Sequence, residues 1–388
     1  MTTFLKVLKG TLFLVSLIAT GMCVWNVYRL NMSRNRYLYL EHWKSKENMT
    51  NAKYIRADTG IQTESKPGIL RQVDSLKTLL RTNISAQPTK APWSNFSFPL
   101  DVDMIQLVQK LRSNIPVEHK PVFVYGYTFT HYKVDRCVDG SPFFIFLIKS
   151  AVTNVESRAA IRKTWANSAL IEKYNSVRMF LVGTPDKRTV LSAVEEENNI
   201  HKDILIMSFR ENYYNNTLKT IGAIHWTVQH CNRSKFVIFV DDDMLVSTTR
   251  LVEFLETNVT LPTFFGGHVA KDNIPFRNET SKWYVSLKDY PYSVYPPMAS
   301  AGFMVMTINF VIDIHFASQY TKEFNFDDCY LGMVAYKLHV KPVYIRSVFV
   351  EPMNITRNTH LIAAHGFPPS KMISSWSELQ KQFTLTNR

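Results

Sequence analysis

Between residues 143 and 240 the chain alternates short apolar runs with amphipathic stretches. The runs at 143–149 (FFIFLIK), 177–183 (VRMFLVG), 203–209 (DILIMSF) and 236–240 (FVIFV) have strand length and are apolar almost throughout, which predicts strands buried on both faces. Between them, 157 to about 174, 187–198 and 216 to about 231 carry helical spacing. The last of these places Ile221, Ile224 and Val228 on one side. Buried strands alternating with helices predict an α/β fold whose central sheet is mostly parallel and covered on both faces. In such sheets ligands bind beyond the carboxyl ends of the strands. The fourth run ends there in three adjacent acids, Asp241, Asp242 and Asp243.

Far upstream, residues 10–28 form one uncharged apolar run. At about 1.5 Å per residue a helix of that length just crosses a bilayer core. It reads as a signal-anchor. A cleaved signal peptide ending near Ala19-Thr20-Gly21 is the alternative, disfavoured because the run continues through Val24, Trp25 and Val27. Flanking charge does not orient it, since Lys6 and Lys9 on one side face Arg29, Arg34 and Arg36 on the other. N-glycosylation triplets do. Asn31, Asn48, Asn83, Asn95, Asn215, Asn232, Asn258, Asn278 and Asn354 each begin one, all after the apolar run, where chance supplies roughly three or four. The excess predicts a single-pass type II membrane protein with its bulk in the secretory lumen. Its parts are a cytoplasmic tail at 1–9, the anchor at 10–28, a lumenal stem at 29–140 and a globular unit at 141–388.

The stem is polar, with two amphipathic stretches. Ile69, Val73, Leu76 and Leu80 make one; Met104, Val108 and Leu111 make the other, with Asp101 as its cap and Pro116 as its stop. Such a stem either pairs two copies as a weak homodimer or is a solvated linker with marginal helices. A hydrophobic fraction of 46% with 13% aromatics excludes a disordered chain, and 13 Gly with 17 Pro exclude a collagen-like one. The net charge of +13 invites a nucleic-acid reading. Its position argues otherwise: residues 1–28 carry +2, 29–140 carry +7 and 141–388 only +4, with no interleaved basic and aromatic patch. No nucleic-acid partner is expected. Of the four cysteines Cys23 lies in the apolar run, so Cys137, Cys231 and Cys329 can form at most one bridge in an oxidising space.

Three carboxylates at the end of a buried strand repel one another, and a divalent cation bridging a diphosphate relieves that repulsion; the alternative is an acidic turn in solvent. Asp327 and Asp328 lie between aromatics at the start of a helical pattern. They are either acids favoured by the helix dipole or a general base in a partly dry cleft. His365 in a late loop is a metal ligand or a surface histidine, with His360 as its competitor. Arg158 and Arg162 are four apart on one helix face, beside Lys163, suited to phosphate contact or simply basic surface. Neither a P-loop nor a glycine-rich dinucleotide fingerprint is present.

Taken together in order, these segments resemble the inverting β-1,3-glycosyltransferases of the Golgi: the β-1,3-galactosyltransferases, the β-1,3-N-acetylglucosaminyltransferases and, more distantly, the fringe enzymes. SRAAIRKTW (157–165) is similar to the family's R-x-x-I-R-x-T-W helix, and YYNNTLKT (213–220) to Y-x-N-L-T-L-K-T. FVDDDM resembles the family's acidic metal motif. KWYV (282–285), YPPMASAGFMVMT (295–307), DDCYLG (327–332) and HGFPPSKMISSW (365–376) resemble four further segments. The resemblance implies a GT-A-like nucleotide-sugar-binding fold in which 141–388 is catalytic. It implies transfer of galactose or an N-acetylhexosamine from a UDP-sugar donor to the 3-hydroxyl of an acceptor oligosaccharide on a glycoprotein or glycolipid, at the Golgi membrane. It assigns Asp328 as base, Asp243 and His365 as ligands of Mn²⁺, and Arg158, Arg162, Lys219, Asp241 and Asp242 as nucleotide-sugar contacts. It also implies a disulfide between Cys137 and Cys231. The alternative is a family member that has given up catalysis and acts as chaperone or partner of a related transferase; retention of Asp241, Asp243, Asp328 and His365 argues for the enzyme. Met298, Ala301 and Phe303 depart from a tyrosine and two glycines of the family pattern, changing bulk near the expected sugar pocket.

Overall fold

The computed structural model describes residues 102–129, 135–138, 140–270, 273–351, 353, 355 and 360–386. The apolar run at 10–28, the stretch at 69–80 and five glycosylation triplets (Asn31, Asn48, Asn83, Asn95 and Asn354) lie outside them. Among the described residues no helix is long and apolar enough to cross a membrane. All described residues lie in one compact unit that ends at Arg388.

In chain order the main elements are α1 (Met104–Arg112), β1 (Phe144–Lys149), α2 (Val155–Lys163), α3 (Ser168–Lys173), β2 (Ser176–Thr184), α4 (Arg188–His201), β3 (Ile204–Arg210), α5 (Asn216–His230), β4 (Phe236–Asp241), β5 (Met244–Val246) and α6 (Thr248–Asn258). There follow β6 (Phe265–Ala270), β7 (Met298–Thr307), α7 (Ile308–Ala317), α8 (Asp327–Lys337), β8 (Val343–Tyr344), β9 (Val348–Phe349), β10 (Ala363–His365) and α9 (Pro369–Thr386). Seven strands form one sheet in the order β3-β2-β1-β4-β7-β6-β8. The first four are mutually parallel; β7 then runs antiparallel to both β4 and β6. The sheet is thus mixed and mostly parallel, as the pattern of apolar runs predicts. A three-stranded sheet, β5-β10-β9, stands apart from it.

Strand periodicity sorts the core into two layers. Phe144, Phe146 and Ile148 of β1 join Ile161 and Trp165 on one face. Ile145 and Leu147 join Leu218, Ile221 and Ile224 of α5 and Tyr330 and Leu331 of α8 on the other. The predicted helix from 157 to about 174 is in fact two. It breaks at Thr164 because Trp165 is fully buried against Phe146, and Asn167 then caps a new helix by accepting from the Leu170 amide at 3.0 Å. Upstream, Met104, Leu107 and Val108 of α1 are buried in the second layer, and Asp103 rather than Asp101 accepts the capping bond from Gln106. The stretch at 104–111 therefore belongs to the core and not to a stem, and packing begins well before residue 141. Cys137 and Cys231 are joined, tying the segment before β1 to the end of α5, as the resemblance implies. Cys329 is free and buried.

Candidate active site

β1 and β4 lie side by side in parallel, with Lys149 in register with Asp241. Both side chains fall on the face that carries α5 and α8, because each continues the odd-numbered rows of its strand. The Lys149 ammonium is buried and binds three elements at once. It meets Asp241 Oδ1 at 3.0 Å, Asp327 Oδ2 at 2.8 Å and donates to the Ala301 carbonyl at 3.1 Å. Thr220 of α5 donates to the same Asp327 oxygen at 2.8 Å. Burial alone disfavours the ionised form of Asp327, but the Lys149 ion pair outweighs it and holds this carboxyl below its usual range.

Asp328, the next residue, has no direct ion-pair partner among the described residues, and Lys149 acts on it only at longer range. Burial, helped by the negative charge of Asp327, pushes it up to about 6, although the Cys329 amide donates to its Oδ1 at 2.8 Å and the Cys329 side chain also bonds it. Two adjacent carboxyls are thus separated by environment: one is clamped as an anion, the other is poised to take a proton. Neither caps α8 in the usual sense, since no side-chain bond closes the helix start.

Asp242 turns toward the other side of the strand end, where its Oδ2 accepts from Ser150 Oγ at 2.6 Å and Asn154 Nδ2 at 3.0 Å. Asp243 meets His365, with His365 Nε2 2.9 Å from Asp243 Oδ2. These two residues are distant in sequence, yet β10 pairs antiparallel with β5, which follows the acidic triplet directly, and His365 is in register with Met244. The Phe367 amide donates to the Asp243 carbonyl at 2.9 Å and fixes the loop behind it. Asp243 Oδ1 is buried without a hydrogen-bond partner. Burial shifts its carboxyl upward, which His365 only partly opposes. A carboxylate with an orphaned oxygen beside an imidazole fits a divalent cation. Among the described residues no third His, Cys, Asp or Glu joins them, so such an ion would complete its shell from substrate oxygens and water.

Two cavities flank this charge cluster. The smaller, about 340 Å³, is lined by Ser150, Ala151, Glu211, Lys219 and the acidic triplet. The larger, about 830 Å³, is lined by Asp327, Asp328, Cys329 and Met298 and by an aromatic and basic wall including Phe276, Arg277, Trp283 and Tyr295. In that wall the Trp283 indole donates to the Tyr213 hydroxyl at 3.2 Å, and Lys282 lies 4.5 Å over the Trp283 ring. Lys149, Tyr213, Asn216 and Asp241 line both cavities and form the seam between them.

Three expected nucleotide-sugar contacts are otherwise engaged. Arg158 is fully buried; it grips Glu197 and donates to Ser150 Oγ and the carbonyls of Ala151 and Val152. Arg162 binds Glu197 and Asp203 and stacks over Phe180. Helical spacing correctly places both on one face, but that face is turned to α4 and not to a phosphate. Lys219 lines the smaller cavity, while its ammonium is held by Glu211 Oε1 at 2.8 Å and the Ser150 carbonyl at 2.9 Å. Arg158 and Lys219 shape the loop after β1 from behind, through Ser150, Ala151 and Val152. Lys149 is absent from the sequence-derived site, although a lysine ending an otherwise apolar strand was the available signal; Asp327 enters it only as the companion acid of Asp328.

Of the glycosylation triplets described, Asn232, Asn258 and Asn278 are exposed, whereas Asn215 is half-buried and donates to the Arg210 carbonyl.

Sequence comparison gives the family. The profile of the Galactosyltransferase family matches residues 156–346. The β-1,3-galactosyltransferase brn of Drosophila melanogaster is 36% identical over 251 residues, covering 62% of this chain and 75% of that protein. Mouse β-1,3-galactosyltransferase 2 is 31% identical, covering 66% of this chain and 63% of its own length. Human UDP-GalNAc:β-1,3-N-acetylgalactosaminyltransferase 1 is 29% identical, covering 69% and 83%. The chain belongs to the galactosyltransferase family.

Proposed function

We propose that this protein transfers a hexose, galactose or an N-acetylhexosamine, from a UDP-sugar to the 3-hydroxyl of an acceptor glycan on protein or lipid, with inversion, forming a β-1,3 linkage. The observation that carries the reading is the pairing of Asp328, raised to about 6 in the larger cavity, with Asp243, which lines the smaller one and meets His365. The nucleotide occupies the smaller cavity and the acceptor the larger. Asp243 and His365 are the residues that would hold Mn²⁺, which when bound neutralises the diphosphate and stabilises the departing UDP. Asp328 accepts the acceptor hydroxyl's proton as that oxygen attacks the anomeric carbon. Lys149 keeps Asp327 ionised, so the proton goes to Asp328 and not to its neighbour. The exposed rings of Trp283 and Phe276 offer a flat apolar surface to a sugar ring. One displacement suffices, and no side chain forms a covalent intermediate.

The reading also retains the wider expectations: a signal-anchor at 10–28, a type II orientation, residence at the Golgi membrane, and glycans on lumenal asparagines. The chaperone-like alternative has no observation in its favour, since the acid pair and the Asp–His pair are both assembled. The deciding experiment is a panel of UDP-sugars with the full-length protein and Mn²⁺, followed by linkage analysis, with calorimetry of UDP binding alongside. A β-1,3 product from one donor, and UDP binding that tightens with Mn²⁺, are expected. Failure to transfer from any UDP-hexose removes the enzymatic reading, and metal-indifferent UDP binding removes the metal role.

A further inference from the structure

A hexose in flight from the smaller cavity to Asp328 in the larger one has to cross the seam of Lys149, Tyr213, Asn216 and Asp241. What distinguishes these four is how much of their hydrogen-bonding capacity the protein already uses. The Lys149 ammonium has three oxygen neighbours, as many as it has protons. Asp241 Oδ1 is held by Lys149, and the Tyr213 hydroxyl accepts from Trp283. The Asn216 carboxamide has no hydrogen-bond partner among the described residues.

Its position explains why. Asn216 is the first residue of α5; its backbone amide donates to the Tyr213 carbonyl, and no side-chain bond caps the helix start. An asparagine there does nothing for the helix that leucine would not do as well or better. In the segment YYNNTLKT the family pattern has leucine at this position, so a polar group replaces an apolar one where both cavities meet.

We propose that Asn216 is a specificity-determining residue for the transferred sugar, its carboxamide hydrogen-bonding a ring hydroxyl of the donor hexose at the seam. An amide presents both a donor and an acceptor, which matches a hydroxyl that is itself both. A site built around such a bond rejects a sugar that lacks the partner, because its own polar group is then left unpaired. The inference rests on the functional reading above and adds the residue that reads the hexose.

The test compares the full-length wild type with Asn216→Leu and Asn216→Ala, both of which leave the Asn215-x-Thr217 triplet intact. Each is assayed with the preferred UDP-hexose and with its monodeoxy donors, and UDP affinity is measured in parallel. The wild type is expected to discriminate against one monodeoxy donor. Both variants are expected to lose about 10- to 100-fold in kcat/KM for the parent donor, to discriminate about equally little between parent and that deoxy donor, and to bind UDP as before. If the wild type transfers but both variants keep its full pattern of donor ratios, Asn216 does not read the sugar. Loss of UDP affinity in step with activity in both variants assigns Asn216 to holding the site's shape and overturns the inference in the same way. A wild type that transfers no hexose overturns the functional reading itself, and this inference falls with it.

Discussion

At the residue scale the site works by giving chemically identical groups different surroundings. Asp327 and Asp328 are neighbours on one helix turn, yet Lys149 stabilises the anion of one and burial destabilises the anion of the other. A carboxyl raised to about 6 is ionised, and therefore basic, only above that pH. The kcat/KM profile is accordingly expected to fall as pH drops through about 6, with an acid limb assigned to Asp328. Asp328→Asn removes the proton acceptor with almost no change in volume. It should lower kcat by about 10²- to 10⁴-fold, abolish that limb in any residual activity and leave UDP affinity unchanged. Steady-state kinetics across pH with parallel calorimetry check all three; near-wild-type transfer by the variant would remove Asp328 as the base.

Among elements, the decisive contact is between α8, which begins with the acid pair, and β7, which supplies Met298 and Ala301. Gly332 lies one turn into α8. A Cβ built there would approach Met298 Cβ to 2.7 Å and the Pro297 carbonyl to 3.3 Å. The helix packs so near the strand only because that side chain is missing. Gly332→Ala should cost about 1–3 kcal/mol through overpacking, even though alanine favours a helix more than glycine does. It should also lower kcat, because α8 has to move and carries Asp327 and Asp328 with it. Denaturant unfolding and a kcat measurement on the same preparation separate this from a simple propensity effect, which would raise stability. Met298 itself, where the family pattern has tyrosine, lines the larger cavity and packs against this glycine. The departure from the family pattern thus changes the larger cavity, which the proposed function gives to the acceptor, and leaves Asp243 and His365 alone.

For the molecule as a whole, the Cys137–Cys231 bridge closes 94 residues that include β1, β2, β3, α5 and the loop after β1. In chain-entropy terms a loop near that length contributes about 4–5 kcal/mol by restricting the unfolded chain. The Cys137→Ser, Cys231→Ser double variant is expected to unfold at markedly lower denaturant concentration, with its slope increased by the freer denatured state. An unchanged midpoint would mean that the bridge does not restrict the denatured chain as the loop-length argument requires. The same bridge anchors α5 at its far end, while Thr220 near its start holds Asp327, so the covalent tie and the acid pair are joined through one helix.

Much of this was legible in the residues alone. Apolar strand-length runs specify buried strands because a parallel sheet must be covered on both faces, and all four parallel strands appear where those runs stand. The acids after β4 could be placed at a strand end for the same reason. Local pattern carries no information on which distant side chain completes an ion pair. Arg158 and Arg162 look like phosphate ligands on a helical wheel, and only the tertiary fold shows Glu197 and Asp203 opposite them. Lys149 reads as the last residue of a strand until parallel register sets it beside Asp241 and the arrival of α8 brings Asp327 to it. His365 reaches Asp243 through an antiparallel pairing between β10 and β5 that no spacing rule contains. The layers, the strand ends and the identity of the acids follow from local pattern. Tertiary structure decided their charge states, because a carboxyl's proton affinity depends on what surrounds it in space and not on what precedes it in the chain.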